Sequence, residues 1–211
     1  MIWIAAIVVA AAVAGGGWFV RAWRRERRAH SVFPASQARS LLHPARKLHQ
    51  RPRPMMRAFA VSPGDCVLEL GPGPGFFTAE AARAAGRAGR VVCIDLQAGM
   101  IRALREHLDA DVLDVVRPLV GDATHLPLAG ASVDRAFLVA VLGEVPDQRR
   151  ALRELRRVLR PGGTVSFAET FADPDYVRVR ALQAMARDAG LTFVDRRRQP
   201  LGYLARFRRP A

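Results

Sequence analysis

The sequence is poor in several residue types, and each shortage narrows what this protein can be. Only two cysteines, Cys66 and Cys93, occur in 211 residues, and neither lies in a CxxC pair or beside a histidine cluster. This pattern excludes a disulfide-stapled scaffold and offers no spacing for a metal site. We therefore expect both cysteines to be small buried residues in a reducing compartment, and we expect no bound metal. No internal repeat is visible.

Acidic residues are also scarce, since 19 Asp and Glu stand against 33 Lys and Arg, for a net charge of +14. The excess is local: residues 21–60 hold eleven Lys and Arg and one acid, Glu26, whereas residues 61–211 hold 22 and 18. A basic block beside an apolar stretch favours anionic lipid headgroups, whereas uniform basicity would favour nucleic acid. The folded domain shows no basic face with aromatic residues and no N-P-P-Y motif, so we expect no nucleic-acid partner.

The first segment of the chain lacks charge altogether. Residues 2–20 are nineteen uncharged residues, which as a helix would span about 28 Å, close to the thickness of a bilayer's hydrocarbon core. No positive charge precedes them, which argues against a cleaved signal peptide, although Gly15, Gly16 and Gly17 weaken the helix near its exit. The sequence therefore predicts one transmembrane helix with tryptophans near its ends.

A row of arginines follows this apolar segment directly. Positive residues beside a span face the cytoplasm, so we expect a single-pass membrane protein with its catalytic domain in the cytoplasm. The flanking arginines are Arg21, Arg24, Arg25, Arg27 and Arg28. We expect a second basic set to contact anionic headgroups as well, and its members are Arg46, Lys47, Arg51, Arg53 and Arg57.

Prolines punctuate residues 29–62, which connect the anchor (residues 1–28) to the main domain (residues 63–211). The stretch from Ser40 to Leu48, interrupted by Pro44, predicts short helical pieces. An apolar face of Met55, Met56, Phe59 and Val61 could dock on the domain that follows. The segment could serve as a tether or as a lid over the substrate site, and the sequence leaves both readings open.

Apolar runs of strand length alternate with helical patterns through residues 63–211. Predicted strands cover 66–70, 90–95, 115–120, 133–139 and 164–168, and predicted helices cover 76–85, 100–108 and 147–159. A helix at 176–189 then precedes two strand-like runs, 191–194 and 203–207, separated by a short gap that suits an antiparallel pair. This alternation predicts an α/β fold: a Rossmann-like, doubly wound, mostly parallel seven-stranded sheet with an antiparallel C-terminal strand.

A glycine-rich loop leaves the first predicted strand and enters a helix. It reads Glu69-Leu70-Gly71-Pro72-Gly73-Pro74-Gly75, and its glycines let the backbone turn sharply and let a ligand approach main-chain atoms. A dinucleotide-binding loop has the pattern G-x-G-x-x-G and aims a helix N-terminus at a pyrophosphate. Here the pattern is G-x-G-x-G with an acid two residues earlier. That carboxylate would repel a pyrophosphate, but it suits a ligand with an ammonium group, a sulfonium and no phosphate.

Two more acids follow predicted strands. Asp95 ends the second strand, where an acid in a nucleotide-binding Rossmann-like fold accepts hydrogen bonds from ribose hydroxyls. Asp122, in Gly121-Asp122-Ala123, follows the third strand and could accept a bond from the amine of adenine. Because ligands of this fold bind at the carboxyl ends of the strands, the three acids together indicate a ligand site.

Four segments, VLELGPGPG, VVCID, GDATHLPLAGASVD and LRELRRVLRPGG, resemble in order and spacing the motifs of class I S-adenosylmethionine-dependent methyltransferases. The resemblance covers about residues 65–168 and looks closest to the small-molecule branch that includes the ubiquinone/menaquinone biosynthesis methyltransferases. It implies an enzyme with S-adenosylmethionine as its cofactor. The cofactor-binding positions that it implies are Glu69, Gly71, Gly73 and Gly75 for the methionine part, Asp95 for the ribose, Leu96, Asp122 and Ala123 for the adenine, and Val139 for the wall near the sulfonium.

Catalytic residues are less well marked. Glu144 and His125 are candidate bases because both follow predicted strand ends on the ligand side. Many relatives carry a histidine where Gly143 stands, so a histidine-assisted mechanism at this position is in doubt.

The basic juxtamembrane stretch favours methyl transfer to a small hydrophobic or lipid-like acceptor at the membrane. Arsenic methylation is not expected, because it needs several thiolates near the sulfonium and both cysteines fall within predicted strands. The alternative is a membrane-tethered module that binds S-adenosylmethionine without turnover, and the intact set of acids speaks against it.

Overall fold

The computed structural model describes residues 32–48 and 50–211. The predicted transmembrane helix and its arginine flank lie outside the described residues. Within the described ranges, no helix combines the length and the apolar character needed to cross a membrane.

The segment before the main domain folds into three short helical pieces. Two 3-10 helices, Ala35–Leu42 and Pro44–Leu48, precede the α-helix α1, Pro52–Ala58. Pro44 and Pro52 each begin a piece because the first turn of a helix needs no N–H at that position. Met55, Met56 and Phe59 are buried, and the Phe59 ring stacks on Phe137 with centroids 5.0 Å apart. The predicted apolar face therefore packs on the sheet.

Strands and helices alternate through the rest of the chain. The strands are β1 (Cys66–Leu70), β2 (Arg90–Asp95), β3 (Val116–Val120), β4 (Val133–Val139), β5 (Leu159–Thr170), β6 (Thr192–Gln199) and β7 (Gly202–Arg208). The helices are α2 (Thr78–Ala85), α3 (Ala98–His107), α4 (Ala110–Leu113), α5 (Gln148–Val158) and α6 (Val179–Asp188), with a 3-10 turn at Leu142–Glu144.

The strands form one seven-stranded sheet in the order β3-β2-β1-β4-β5-β7-β6. Strands β1 to β5 pair in parallel, while β7 runs antiparallel to both β5 and β6. This confirms the predicted Rossmann-like sheet and its antiparallel C-terminal strand. The strand order reverses at β1, and the ligand crevice of such sheets lies at this point.

Two strands extend well beyond their predicted bounds, and a third contains a proline, each for a local reason. Strand β5 begins at Leu159 rather than Thr164, because the Arg160-Pro161-Gly162-Gly163 stretch bulges within the strand and leaves the register irregular opposite Val133 and Arg135. Strand β6 extends to Gln199 because its exposed arginines pair with β7. These charged residues interrupt the apolar pattern from which the strand was predicted. Pro118 does not break β3, because this strand is a sheet edge and a proline there costs few ladder bonds.

Helices cover both faces of the sheet, as the alternation of strand side chains requires. Leu68, Ile94 and Leu138 face one core, which they share with α5 and α6. Val67, Cys93 and Phe137 face the other core, which they share with α1, α2 and α3. The burial of both faces explains why the central strands read as continuous apolar runs.

Candidate functional site

A cavity of about 640 Å³ opens at the carboxyl ends of β1, β2 and β4. Eight of the nine predicted cofactor positions line it: Glu69, Gly71, Gly73, Asp95, Leu96, Asp122, Ala123 and Val139. Gly75 is the exception. Its φ of +91° serves the turn into α2, and a Cβ at this position would contact the side chains of Leu104, Leu108 and Thr78.

The glycine loop lies close to the loop that follows β4. Gly71 has a φ of +69°, and a Cβ there would overlap the side chain of Val141. Only glycine allows both this left-handed backbone and the close approach. The Gly71 main chain can therefore pack directly against Val141, and both residues line the cavity.

Glu69 is the buried acid at this end of the cavity, with 2% of its surface exposed. Its Oε2 accepts a 2.7 Å hydrogen bond from the Thr78 hydroxyl, at the start of α2, and lies 3.6 Å from the Cys93 thiol. Burial raises the pKa of Glu69 to about 7, although these bonds and the Arg46 guanidinium oppose the rise. A carboxylate held this way gains from an incoming cation.

Arg46 also lines this end of the cavity, and sequence reasoning missed it. Its Nε donates to Gln50 Oε1 at 2.5 Å and its Nη1 donates to the Leu41 carbonyl at 3.1 Å. The guanidinium lies 4.7 Å from the centre of the Phe76 ring. Burial lowers its pKa to about 10, and the charge of Glu69 works against that shift. The sequence grouped Arg46 with surface cations because no motif separates it from its neighbours.

Asp95 and Asp122 stand at strand ends farther along the cavity. Asp95 accepts from the Gly73 amide at 3.3 Å and the Gln97 amide at 2.9 Å, while burial raises its pKa. Asp122 accepts from the Thr124 amide at 2.7 Å, which lowers its pKa. Leu96 is 58% exposed, so an apolar side chain faces open space beside these two acids and provides a surface for a flat ring.

Glu144 also lines the cavity and lies in the turn after β4. Burial raises its pKa to about 7, and the charges of Asp173, Asp175 and Asp95 raise it further. Its Oε2 accepts from the Phe33 amide at 3.3 Å. The preceding residue, Gly143, has no room for any side chain, because a Cβ would overlap the Asp175 backbone carbonyl. A histidine at position 143 is therefore incompatible with this loop packing.

His125 does not line the cavity. It is exposed, and its ring contacts Arg150 and the Thr124 hydroxyl. Its position after β3 satisfied the sequence criterion, but the loop turns the ring toward α5 instead.

Residues 32–34 cover part of the cavity. The Gln97 side chain fixes this segment with two hydrogen bonds: its Nε2 donates to the Phe33 carbonyl at 2.7 Å, and its Oε1 accepts from the Ala35 amide at 3.1 Å. The hydrogen bond from the Phe33 amide to Glu144 joins the same segment to the turn after β4. Sequence reasoning missed Gln97, although its place two residues after Asp95 was a usable signal.

Metal binding has no support in residues 32–48 and 50–211, where no group of three or more His, Cys, Asp or Glu side chains could hold an ion. The two cysteines in these ranges are both buried and unpaired.

Comparison with known sequences gives one domain match and several relatives. Residues 68–167 match the family described as a methyltransferase domain. The chain is 34% identical over 143 residues to an arsenite methyltransferase of Halobacterium salinarum, which is 66% of this chain and 37% of that protein. It is 34% identical over 115 residues to a demethylmenaquinone methyltransferase of Bacillus cereus, which is 54% of this chain and 48% of that protein.

A third relative is the ubiquinone/menaquinone biosynthesis C-methyltransferase UbiE of Haemophilus ducreyi, 33% identical over 118 residues, which is 54% of this chain and 46% of that protein. The matches thus span less than half the length of these three relatives.

Among solved structures, a SAM dependent methyltransferase from Aquifex aeolicus has a TM-score of 0.79 at 22% identity and covers 84% of this chain and 100% of its own. This likeness shows the fold. The domain match identifies residues 68–167 as a methyltransferase domain, and with the named relatives it supports a class I S-adenosylmethionine-dependent methyltransferase that is similar to the UbiE type.

Proposed function

We propose that this chain transfers the methyl group of S-adenosylmethionine to a small hydrophobic or lipid-like acceptor. One observation carries the proposal: a single cavity brings Glu69 and Asp95, from the carboxyl ends of the adjacent strands β1 and β2, together with Arg46 from the 3-10 helix Pro44–Leu48. These groups are complementary to an amino acid joined to a nucleoside, which is the chemical outline of the cofactor.

The residues present fit this cofactor group by group. The buried Glu69 carboxylate suits the ammonium, and Arg46 keeps guanidinium N–H groups beyond those bonded to Gln50 and Leu41, which suit the carboxylate. Asp95 would accept from the ribose hydroxyls, and Leu96 with Asp122 and Ala123 would enclose the adenine. Gly71 and Gly73 also line the cavity, so their main chain would lie along the part of the cofactor that joins the amino acid to the nucleoside.

Much of the cavity lining is apolar, which supports a hydrophobic acceptor. Val139, Val145, Pro146, Pro174 and Phe33 line it. The bound cofactor supplies an activated methyl group, so the protein's task is to align the acceptor and exclude water. Residues 32–34 serve as the lid in this proposal, because they already close over the cavity through Gln97 and Glu144.

Glu144 is the residue that we expect to take a proton from the acceptor. A general base works best when its pKa is near the working pH, and burial brings the pKa of Glu144 to about 7. A phenol or a similarly weak acid, such as a quinone precursor, fits such a base. The named quinone methyltransferase relatives support this acceptor class.

We extend the proposal to location: residues 2–20 anchor the protein as a single-pass membrane protein, and the domain that follows lies in the cytoplasm. The uncharged run and the arginines after it support this orientation. A membrane position would bring an apolar acceptor to the lid side of the cavity.

Methyl transfer from labelled S-adenosylmethionine to membrane lipid extracts tests the function. Purified full-length protein should label an extractable apolar compound, and Glu144→Gln should lower the rate while cofactor binding persists. Binding without label in any extract, lipid or soluble, would contradict turnover and leave the binding-module alternative.

A further inference from the structure

A second cavity, of about 740 Å³, lies between the segment that precedes the sheet and helix α2. Its charged side chains are Lys47, Arg53, Arg57, Arg83 and Glu80, four cations against one acid. Glu80 pairs with Arg83 at 2.9 Å. Lys47, Arg53 and Arg57 make no ion pair in the described parts of the chain. This concave surface, which we name the basic groove, therefore holds three cations without counterions and is suited to an anion.

The uncharged lining of the basic groove indicates which anion. Pro52, Met56, Val61 and Ala84 line it, and no aromatic residue does. A nucleic-acid strand would gain from aromatic stacking platforms, which this groove does not offer. A phosphate attached to a glyceryl and acyl group can instead place its charge among the cations and its apolar part on these side chains.

We propose that the basic groove binds the phosphate headgroup of an anionic phospholipid. The position of the groove supports this ligand, because residues 47–61 follow the predicted membrane anchor and its arginine flank in the chain. The site stands independently of the methyl-transfer proposal, since no residue of the groove lines the cofactor cavity.

The groove also revises the headgroup-binding set expected from the sequence. Arg46 faces the cofactor cavity instead, while the next residue, Lys47, faces the groove. Arg51 lines neither cavity, and Arg83 from α2 joins the groove. Two consecutive residues of one 3-10 helix thus line two different cavities, so the helix that carries the lipid contact also carries a cofactor contact.

Calorimetric titration of the full-length protein in an uncharged maltoside detergent tests the groove. The probes are dioctanoyl-phosphatidylglycerol, dioctanoyl-phosphatidylcholine, glycerol 3-phosphate and a short single-stranded RNA. We expect the anionic lipid to bind more tightly than the other three. A triple variant, Lys47→Ala with Arg53→Ala and Arg57→Ala, should weaken that binding about a hundredfold, since each cation near a headgroup contributes on the order of 1 kcal/mol.

A control triple removes the same charge elsewhere, with Arg102→Ala, Arg180→Ala and Arg187→Ala, which are exposed and lie outside the groove. It should keep the lipid affinity within about threefold. Binding of S-adenosylhomocysteine by both triples shows that each is folded.

An equal loss of lipid affinity in the two triple variants would mean that the loss comes from the lower net charge, and it would overturn the site. Equal affinity for glycerol 3-phosphate would make the ligand a soluble phosphate ester, and tighter binding of RNA would make it a nucleic acid. Either result overturns the lipid assignment.

Discussion

Arg46 is the site residue that the structure adds, and replacing it tests how the cavity distinguishes a complete cofactor from a fragment. Arg46→Met keeps an unbranched apolar stem against Phe76 and removes the guanidinium. S-adenosylhomocysteine carries the carboxylate that Arg46 would bind, whereas methylthioadenosine carries the nucleoside and thioether without the amino acid. The substitution should weaken the binding of S-adenosylhomocysteine and leave the binding of methylthioadenosine unchanged.

The expected size of the effect follows from the burial of the pair. A charge-assisted hydrogen bond contributes about 1.5–3 kcal/mol, which corresponds to a loss of roughly 10-fold to 150-fold in affinity. Arg46 is partly buried beside Glu69, so solvent screens it less than a surface cation. Methylthioadenosine should bind the parent and Arg46→Met within about twofold of each other.

Isothermal titration calorimetry with both ligands measures the difference directly. Lys47→Met is the matched control, because it removes the same charge from the next residue, which does not line the cofactor cavity. Equal weakening of the two ligands in Arg46→Met would mean that the variant distorts the cavity. Unchanged affinity for S-adenosylhomocysteine would refute the carboxylate assignment itself.

Four further predictions follow from the site and its pKa values. Asp95→Ala should weaken S-adenosylhomocysteine binding by about two orders of magnitude, because two hydrogen bonds to the ribose are lost. Thermal unfolding should show that the variant keeps its fold. A change in affinity below threefold contradicts the ribose assignment. Glu69, with a pKa near 7, should release a proton when it meets the ligand ammonium. The calorimetric enthalpy of binding at pH 6.5 should therefore depend on the ionisation enthalpy of the buffer, and this dependence should vanish in Glu69→Gln. In the ligand-free protein, burial raises the pKa values of Glu69 and Glu144 to about 7 and of Glu169 to about 8. The folded state then binds more protons than the unfolded state above about pH 4.5, so the free energy of unfolding should fall as pH rises toward 8. Chemical denaturation should show a smaller fall in Glu169→Gln than in the parent. Full-length protein should stay in the membrane fraction after a carbonate wash, since salt screens headgroup attraction but not a spanning helix; release by salt alone would indicate a peripheral anchor.

The sequence by itself determined the sheet and most of the cofactor site, because those features depend on local patterns. Strand β1, strand β2 and strand β4 have the predicted bounds, since buried central strands read as uninterrupted apolar runs. The glycine loop, Asp95 and Asp122 were found for the same reason: in a parallel sheet, every strand's carboxyl end reaches the ligand edge. Strand ends were therefore sufficient to place these residues in one cavity.

Only the tertiary structure decided which side chains from outside that edge complete the site. Arg46 and Lys47 are neighbouring cations in the sequence, yet one faces the cofactor cavity and the other faces the basic groove. Glu144 and His125 both follow strand ends, but the first lines the cavity and the second contacts Arg150. The absence of a side chain at Gly143 was visible in the sequence, whereas its reason, the Asp175 backbone packed over it, lies 32 residues away in the chain. Such choices depend on how separate segments pack against each other, and that packing is set by three-dimensional shape rather than by any local period.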